Sequence, residues 1–514
     1  MAGYGYWVAV CFTINYVIGS GILTLPWAFD ASGLVLAALI LTVMAIFSVV
    51  TSYQLLETMA RASALETRFG ADAISSAVFS PMSSRHIYGA IRGTDSLNRV
   101  DEPGNEPGSG GQIELVESDF KPHLRSRSGP LQLGDRKFEI AELCGIFLGN
   151  TARRLYVASI SLYFYGALWA YSTVFARAWS NILPVPGLNQ AESYYVYLAW
   201  WAVVECSWCL FELDEQITVQ VALAIGRILM VCTMIGTVLA CDFSGHNSFD
   251  IPSDAPGHQT FGGVYHLWVP SNMYIILPVS IYALVMHHSV PTIVRPVRDK
   301  RQAGHIFAMS FAISYVAYLV LALVVSAYFG QYANTSSNLN WMHYKGFNPS
   351  DAQLSGADDI PLYAKIVTAF VVIFPSLDVA SAFPLNAITL GNNLMATYYG
   401  SSALPDAERS WYKRSFFRLL AAVPPVLAAG LVQDLGPITA YTGLTGIVIA
   451  LITPAMLAYA SEQDLMKRGM QSRTGFSLPG TSGVLAIVIA ATGCCALIYI
   501  LYSLITHGVP KVLS

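Results

Sequence analysis

Long apolar runs, each about the length needed to cross a 30 Å hydrocarbon core, alternate along this chain with short polar connections. The runs fall near 7–29, 33–58, 153–180, 194–212, 217–241, 269–291, 304–330, 362–388, 415–432, 437–460 and 482–506. Each predicts a membrane-spanning helix, so the expected architecture is all-α and polytopic, with about eleven spans. One long polar stretch, 61–152, separates 1–60, which carries the first two spans, from 153–514, which carries the rest. Within it, Pro103-Gly104-Asn105-Glu106-Pro107-Gly108-Ser109-Gly110-Gly111 lacks the apolar residues to bury a core and reads as a flexible linker. Arg125-Ser126-Arg127-Ser128 reads as a solvated basic patch. Apolar character returns at Phe138 to Gly149, the pattern of a short interfacial helix.

Two of the runs are interrupted at membrane depth. In the first, Gly19-Ser20-Gly21 follows Asn15-Tyr16-Val17-Ile18, with Pro26 beyond. The sixth carries Ser280-Ile281-Tyr282-Ala283-Leu284-Val285-Met286-His287-His288-Ser289-Val290-Pro291. A helix broken in lipid frees backbone donors and acceptors that only protein or a polar ligand can satisfy. Two breaks five spans apart are the expected mark of inverted five-helix repeats with a central solute site.

At the first break the expected chemistry is explicit. The N–H groups near Ser20, Gly21 and Ile22 begin an outer half-helix and suit a carboxylate, while carbonyls near Ile18 and Gly19 end an inner half and suit an ammonium group. Asn15, Tyr282, His287 and His288 join them as candidate substrate-binding residues, and Tyr165 of the third span is chosen over Tyr163 as a wall. Adjacent helical residues point about 100° apart, so His287 and His288 do not share one metal site in a regular helix.

The composition agrees with a membrane protein: of 514 residues 54% are hydrophobic and only 12% charged. A net charge of -4 spread along the chain argues neither for nucleic-acid binding nor for an extended acidic tail, and no nucleic-acid partner is expected. Lys and Arg crowd the 61–152 insert and the loops near Arg295, Lys413 and Arg468, whereas 242–268 and 331–361 are nearly free of them. By the positive-inside rule the N-terminus and the insert are cytoplasmic and the C-terminus lies outside or in a lumen. The sequon Asn334-Thr335-Ser336 falls in a predicted outer loop and makes Asn334 a candidate glycosylation site. No Lys or Arg precedes the first run, so it reads as a retained span rather than a cleaved signal. Cys206 and Cys209 sit in an apolar run without a second ligand pair and read as packing.

Ionisable residues inside spans are functional candidates by default. Glu205 in the fourth, Arg227 in the fifth and Asp378 in the eighth qualify, and an Arg227–Asp378 pair would lower the burial cost of both. Protonation of Asp378 would then release Arg227, a route to coupling. Ser376 and Ser381 keep a sodium site open.

The segment Asn15 to Phe29 resembles the signature of the amino acid/auxin permease family, within the amino acid–polyamine–organocation superfamily. Phe138-Glu139-Ile140-Ala141-Glu142-Leu143, Tyr163-Phe164-Tyr165-Gly166 and Met286 to Pro291 extend the resemblance over most spans but not the insert. It implies the fold of the bacterial leucine transporter and secondary transport of a small amino acid-like solute, driven by a proton or sodium gradient. It also implies that relatives bind sodium between the first and eighth spans, a region that the Arg227 guanidinium would fill, so protons are the expected coupling ion. No cofactor or metal is expected, and no nucleophile–base constellation suggests an enzyme. The alternatives are a nutrient sensor or scaffold that binds an amino acid without moving it and recruits a cytoplasmic partner through the insert, or an ion channel. The membrane, plasma membrane or lysosome/vacuole, is left open.

Overall fold

The computed structural model describes residues 3–70, 130–211, 217–244, 248–249, 251, 266–346, 360–477 and 483–508. The Pro103 to Gly111 linker and the Arg125 to Ser128 patch lie outside them. Helices stand at every expected position. Among the described residues eight are long and apolar enough to cross a membrane, and the bent pair Tyr6–Val17 and Gly21–Ser32 makes a ninth, so the chain is an integral membrane protein. The expected third and fourth spans are the helices Asn150–Ile182 and Gln190–Trp208. At 1.5 Å per residue they are about 50 and 28 Å long. They fall outside that apolar set, the third carrying Arg153, Arg154 and Arg177 and the fourth Glu192, Glu205 and several tyrosines.

The first span is bent by 55° where Ile18 turns extended (φ -82°, ψ 92°) between its two half-helices. The sixth consists of Met273–Leu284, extended Val285, a 3-10 turn His287–Ser289 and the short helix Val290–Val294. The two run antiparallel. Tyr4 N–H donates to Pro296 O (2.7 Å) at one end, and Val269 N–H to Ser32 O (3.0 Å) at the other. Gly33 turns the chain from the first span into the second at φ 88°, with Leu267 and Trp268 backbone where a Cβ would lie.

The breaks are stabilised by spans five and seven. With the helical ladder interrupted, the Asn15 carbonyl accepts from Arg227 Nη1 (2.6 Å) and the Val17 carbonyl from Tyr318 Oη (2.7 Å). The two helix-end carbonyls thus find donors inside the protein, which is what a break at this depth requires.

The second span does not end near 58. Its helix, Leu34–Phe69, continues past the apolar run because its polar residues are satisfied by neighbours. Arg61, expected to sit in the solvated insert, is buried against the tenth span: its Nη1 donates to Ala458 O (2.9 Å) and Ser461 Oγ (3.1 Å), and its Nε to Ser472 O (3.1 Å). The described end of the insert is folded too. Leu131 forms a β-bridge with Thr474, Gly134 N–H donates to Ser63 Oγ (3.1 Å), and Lys300 Nζ donates to Gly134 O and Asp135 Oδ1 (both 2.7 Å). It leads into the expected interfacial helix, Ile140–Phe147, whose Ile140, Leu143 and Cys144 face inward.

Candidate functional site

A cavity of about 570 Å³ reaches from the break in the first span to the face of the bundle that carries the insert. Gly19 and Ser20 form its inner end, and Lys137 and Glu139, at the folded end of the insert, stand at its mouth. One face of the eighth span runs along it, with Asp378, Ser381, Asn386, Thr389 and Asn393 at helical spacing.

Of the expected substrate-binding residues, Asn15, Gly19, Ser20 and His288 line this cavity. Arg227, Asp378 and Ser381 of the expected coupling group line it as well. Ile18 and Ile22 border a neighbouring void of about 10 Å³, beside the same Arg227 and Asp378.

Other candidates point elsewhere. Gly21 is a helix contact: a Cβ there would lie 2.7 Å from Ala283 Cα, so its small size serves the packing of spans one and six. Gly19 has nothing nearer than Tyr171 Oη at 4.0 Å. Tyr165 turns toward the ninth span, where its hydroxyl donates to Leu420 O (3.0 Å), and Tyr163 takes the cavity wall instead. Tyr282 stands behind the cavity, its hydroxyl 2.8 Å from Ser20 Oγ. His287 faces the second span, its Nε2 at 2.9 Å from Thr51 Oγ1 and 3.1 Å from Ser48 O, whereas His288 packs on Tyr163 and Phe164 with ring centroids 5.5 and 5.1 Å away. In this 3-10 turn the two adjacent side chains diverge, His287 toward the packing and His288 toward the cavity. Glu205 is buried on the fourth span, away from the cavity, and its Oε2 has no partner among the described residues. Asn334 is half-buried, its Oδ1 accepting from Ser336 N–H (2.9 Å).

The expected pair between spans five and eight is present in two-point form. Arg227 Nε donates to Asp378 Oδ2 (2.9 Å) and Nη2 to Oδ1 (2.5 Å), while Nη1 reaches Asn15 O and Oδ1. Both side chains are largely buried, at 5% and 7% residue exposure, so their charges offset one another within the protein. Ser381 Oγ donates to Asp378 O (2.8 Å), and Ser376 Oγ to Ile373 O (2.6 Å) while accepting from Trp179 Nε1. Both hydroxyl protons are therefore engaged with backbone.

The sequence reading did not single out Tyr171, Tyr318, Asn386 or the mouth residues. Tyr171 lies two helical turns beyond Phe164 on the cavity side, a spacing that could have suggested it. Nothing in the sequence distinguishes Tyr318 among 28 tyrosines. At the mouth, Arg136 joins Glu66 (2.9 Å) and Glu142 (2.5 Å) and stacks over Phe138. The hydrogen bond to Glu66 leads in pushing the Arg136 guanidinium above its ordinary pKa, while burial holds the Glu142 carboxyl up against the lowering effect of Arg136. Lys137 Nζ pairs with Glu139 (2.6 Å).

Comparison with known proteins finds likenesses to part and to most of the chain. The family described as "Transmembrane amino acid transporter protein" matches residues 3–74. The chain is similar to the Transmembrane protein 104 homolog of Drosophila melanogaster, at 23% identity with 97% of each chain covered. It is similar to Transmembrane protein 104 of Homo sapiens at 22% identity, over 90% of this chain and 88% of that protein. The Dictyostelium discoideum homolog is 23% identical over 90% and 89%. Among solved structures, a Na+-coupled sialic acid symporter in a substrate-bound outward-open state aligns over all of this chain and 92% of its own, at 11% identity and TM-score 0.46.

Proposed function

We propose that this chain is a secondary transporter of a small amino acid or related zwitterion, working by alternating access and coupled to protons. The observation that carries the reading is the cavity that ends on the broken first span, with Gly19 and Ser20 at its inner limit. There the outer half-helix presents its first N–H groups, and the Ile18 carbonyl follows just past the inner half, beyond the Asn15 and Val17 carbonyls that Arg227 and Tyr318 hold, a donor and an acceptor group a few ångströms apart. A zwitterion satisfies both. The ion pair of Arg227 and Asp378 adds no net charge beside it, which favours a neutral solute over a charged one.

Coupling is assigned to Asp378. Its protonation would end the two-point attraction that holds Arg227, and Arg227 in turn holds the inner half of the first span through Asn15. The element that must move in alternating access is thereby tied to one titratable group. Protons rather than sodium suit this arrangement because the Arg227 guanidinium, joined to Asp378 of the eighth span and Asn15 of the first, already places a positive charge where a cation bridging those two spans would sit. The N-terminus and the insert are assigned to the cytoplasm and the C-terminus to the outside or lumen, which makes the cavity open inward.

The test is uptake of a radiolabelled amino-acid panel by the purified chain in liposomes, with an inward pH gradient, a sodium gradient or neither. Saturable uptake driven by the pH gradient and abolished in Gly19→Leu is expected. Binding without uptake of any panel member would replace the transporter with a sensor, and current without saturable exchange would replace it with a channel.

A further inference from the structure

Two helix ends from opposite halves of the bundle converge on one side chain. Val17 ends the inner half of the first span, and Ala283 lies in the last turn of the outer half of the sixth. Their carbonyl oxygens lie 2.7 and 2.9 Å from the hydroxyl of Tyr318, on the seventh span Ala303–Phe329. Tyr318 is fully buried, at 0% exposure.

Both carbonyls belong to the last turn of a helix, where no intrahelical N–H reaches them and the macrodipole is negative. Two such ends meeting at one point form a cation site wherever the point is empty, since backbone carbonyls at helix breaks coordinate monovalent cations. Here a phenol fills it. Its single proton is shared between two acceptors, and its oxygen sits at hydrogen-bonding distance from each. The Gly19 N–H also reaches the Val17 carbonyl, at 3.1 Å, while the other nearby polar groups are engaged elsewhere. Arg227 is committed to Asp378 and Asn15, and the Tyr282 hydroxyl to Ser20 Oγ.

We infer that the Tyr318 hydroxyl takes the place of a bound monovalent cation between the two breaks and so fixes the two half-helices relative to each other without an ion from solution. Tyr318 is then a positioning residue for the solute site. The inference rests on the transporter reading only for its meaning in a cycle. The occupancy of the point by a hydroxyl is a separate matter, and the experiment keeps the two apart.

The purified full chain and Tyr318→Phe are compared by thermal unfolding in NaCl, KCl and choline chloride at equal ionic strength, without solute. The wild type is expected to melt alike in all three. Tyr318→Phe, which removes only the oxygen, is expected to gain a saturable rise of about 2 °C or more in one alkali salt over choline, as a ligand bound to the folded state alone produces. A Tyr318→Phe protein that melts alike in all three salts overturns the inference, whether or not its transport survives. Should that variant not fold, wild-type uptake in sodium against choline decides: equal rates are expected, and a sodium requirement overturns the inference. Absence of uptake by the wild type would refute the transporter while the melting comparison still judges Tyr318.

Discussion

Arg227 and Asp378 meet across spans five and eight in two parallel hydrogen bonds, Nε to Oδ2 at 2.9 Å and Nη2 to Oδ1 at 2.5 Å. Removing one partner leaves the other charge buried, a loss of about 3 to 5 kcal/mol for a desolvated pair. Asp378→Asn and Arg227→Met are each expected to lower the melting temperature. The double variant should lose clearly less than the sum, since neither charge is then stranded. All three should lose pH-driven uptake. Additive losses in the melting series would show that the two residues act independently.

Gly19 and Gly21 are two residues apart and are expected to respond oppositely. Gly21→Ala places a methyl 2.7 Å from Ala283 Cα, so it should cost about 1 to 3 kcal/mol in stability, as overpacking does. Gly19→Ala enters open cavity space and should leave the melting temperature unchanged while weakening solute binding. Calorimetric binding alongside thermal unfolding separates the two, and equal destabilisation by both would contradict the cavity's placement.

The two adjacent histidines should also divide. His287→Ala breaks the contacts to Thr51 and Ser48 of the second span and is expected to destabilise by about 1 to 3 kcal/mol. His288→Ala removes a ring from the cavity wall beside Tyr163 and Phe164. Solute affinity should fall roughly tenfold, about 1.4 kcal/mol, with stability retained. A normal affinity in His288→Ala would remove this residue from the binding wall.

The strap from Leu131 to Glu139 should be held to the bundle in the intact protein. A Cβ on Gly134 would lie 3.2 Å from Ser63 Cβ, within a few tenths of an ångström of disulfide spacing, so Ser63→Cys with Gly134→Cys should cross-link readily under mild oxidant. Lys300, through its hydrogen bond first and its charge second, holds the Asp135 carboxyl below its ordinary pKa of 3.8. A depressed carboxylate pKa contributes stability above the unfolded value and loses it as the pH falls through the folded one. Amide protection around 134–136 should accordingly be full at neutral pH and decline only below about pH 3.8. A pair that fails to cross-link would mean that the strap is not seated at Ser63.

Much of this molecule is determined by its sequence alone. Apolar runs of membrane length specify helices because unpaired backbone is too costly in lipid, and Gly-Ser-Gly in one run with a His-His-Ser-Val-Pro stretch in another locates both breaks. The rarity of charge inside spans likewise singles out Arg227 and Asp378 as partners, since each would be too costly to bury alone. Tertiary structure alone decided which side of each broken helix faces the cavity. Gly21 rather than Gly19 meets Ala283, and Tyr163 rather than Tyr165 faces the cavity, because helices that are apolar all round carry no amphipathic stripe to read. The same holds for Arg61, buried by Ala458 and Ser461, and for Tyr318, which meets Val17 and Ala283. Their partners lie hundreds or dozens of residues away along the chain, and a hydrogen bond at that separation leaves no local pattern behind.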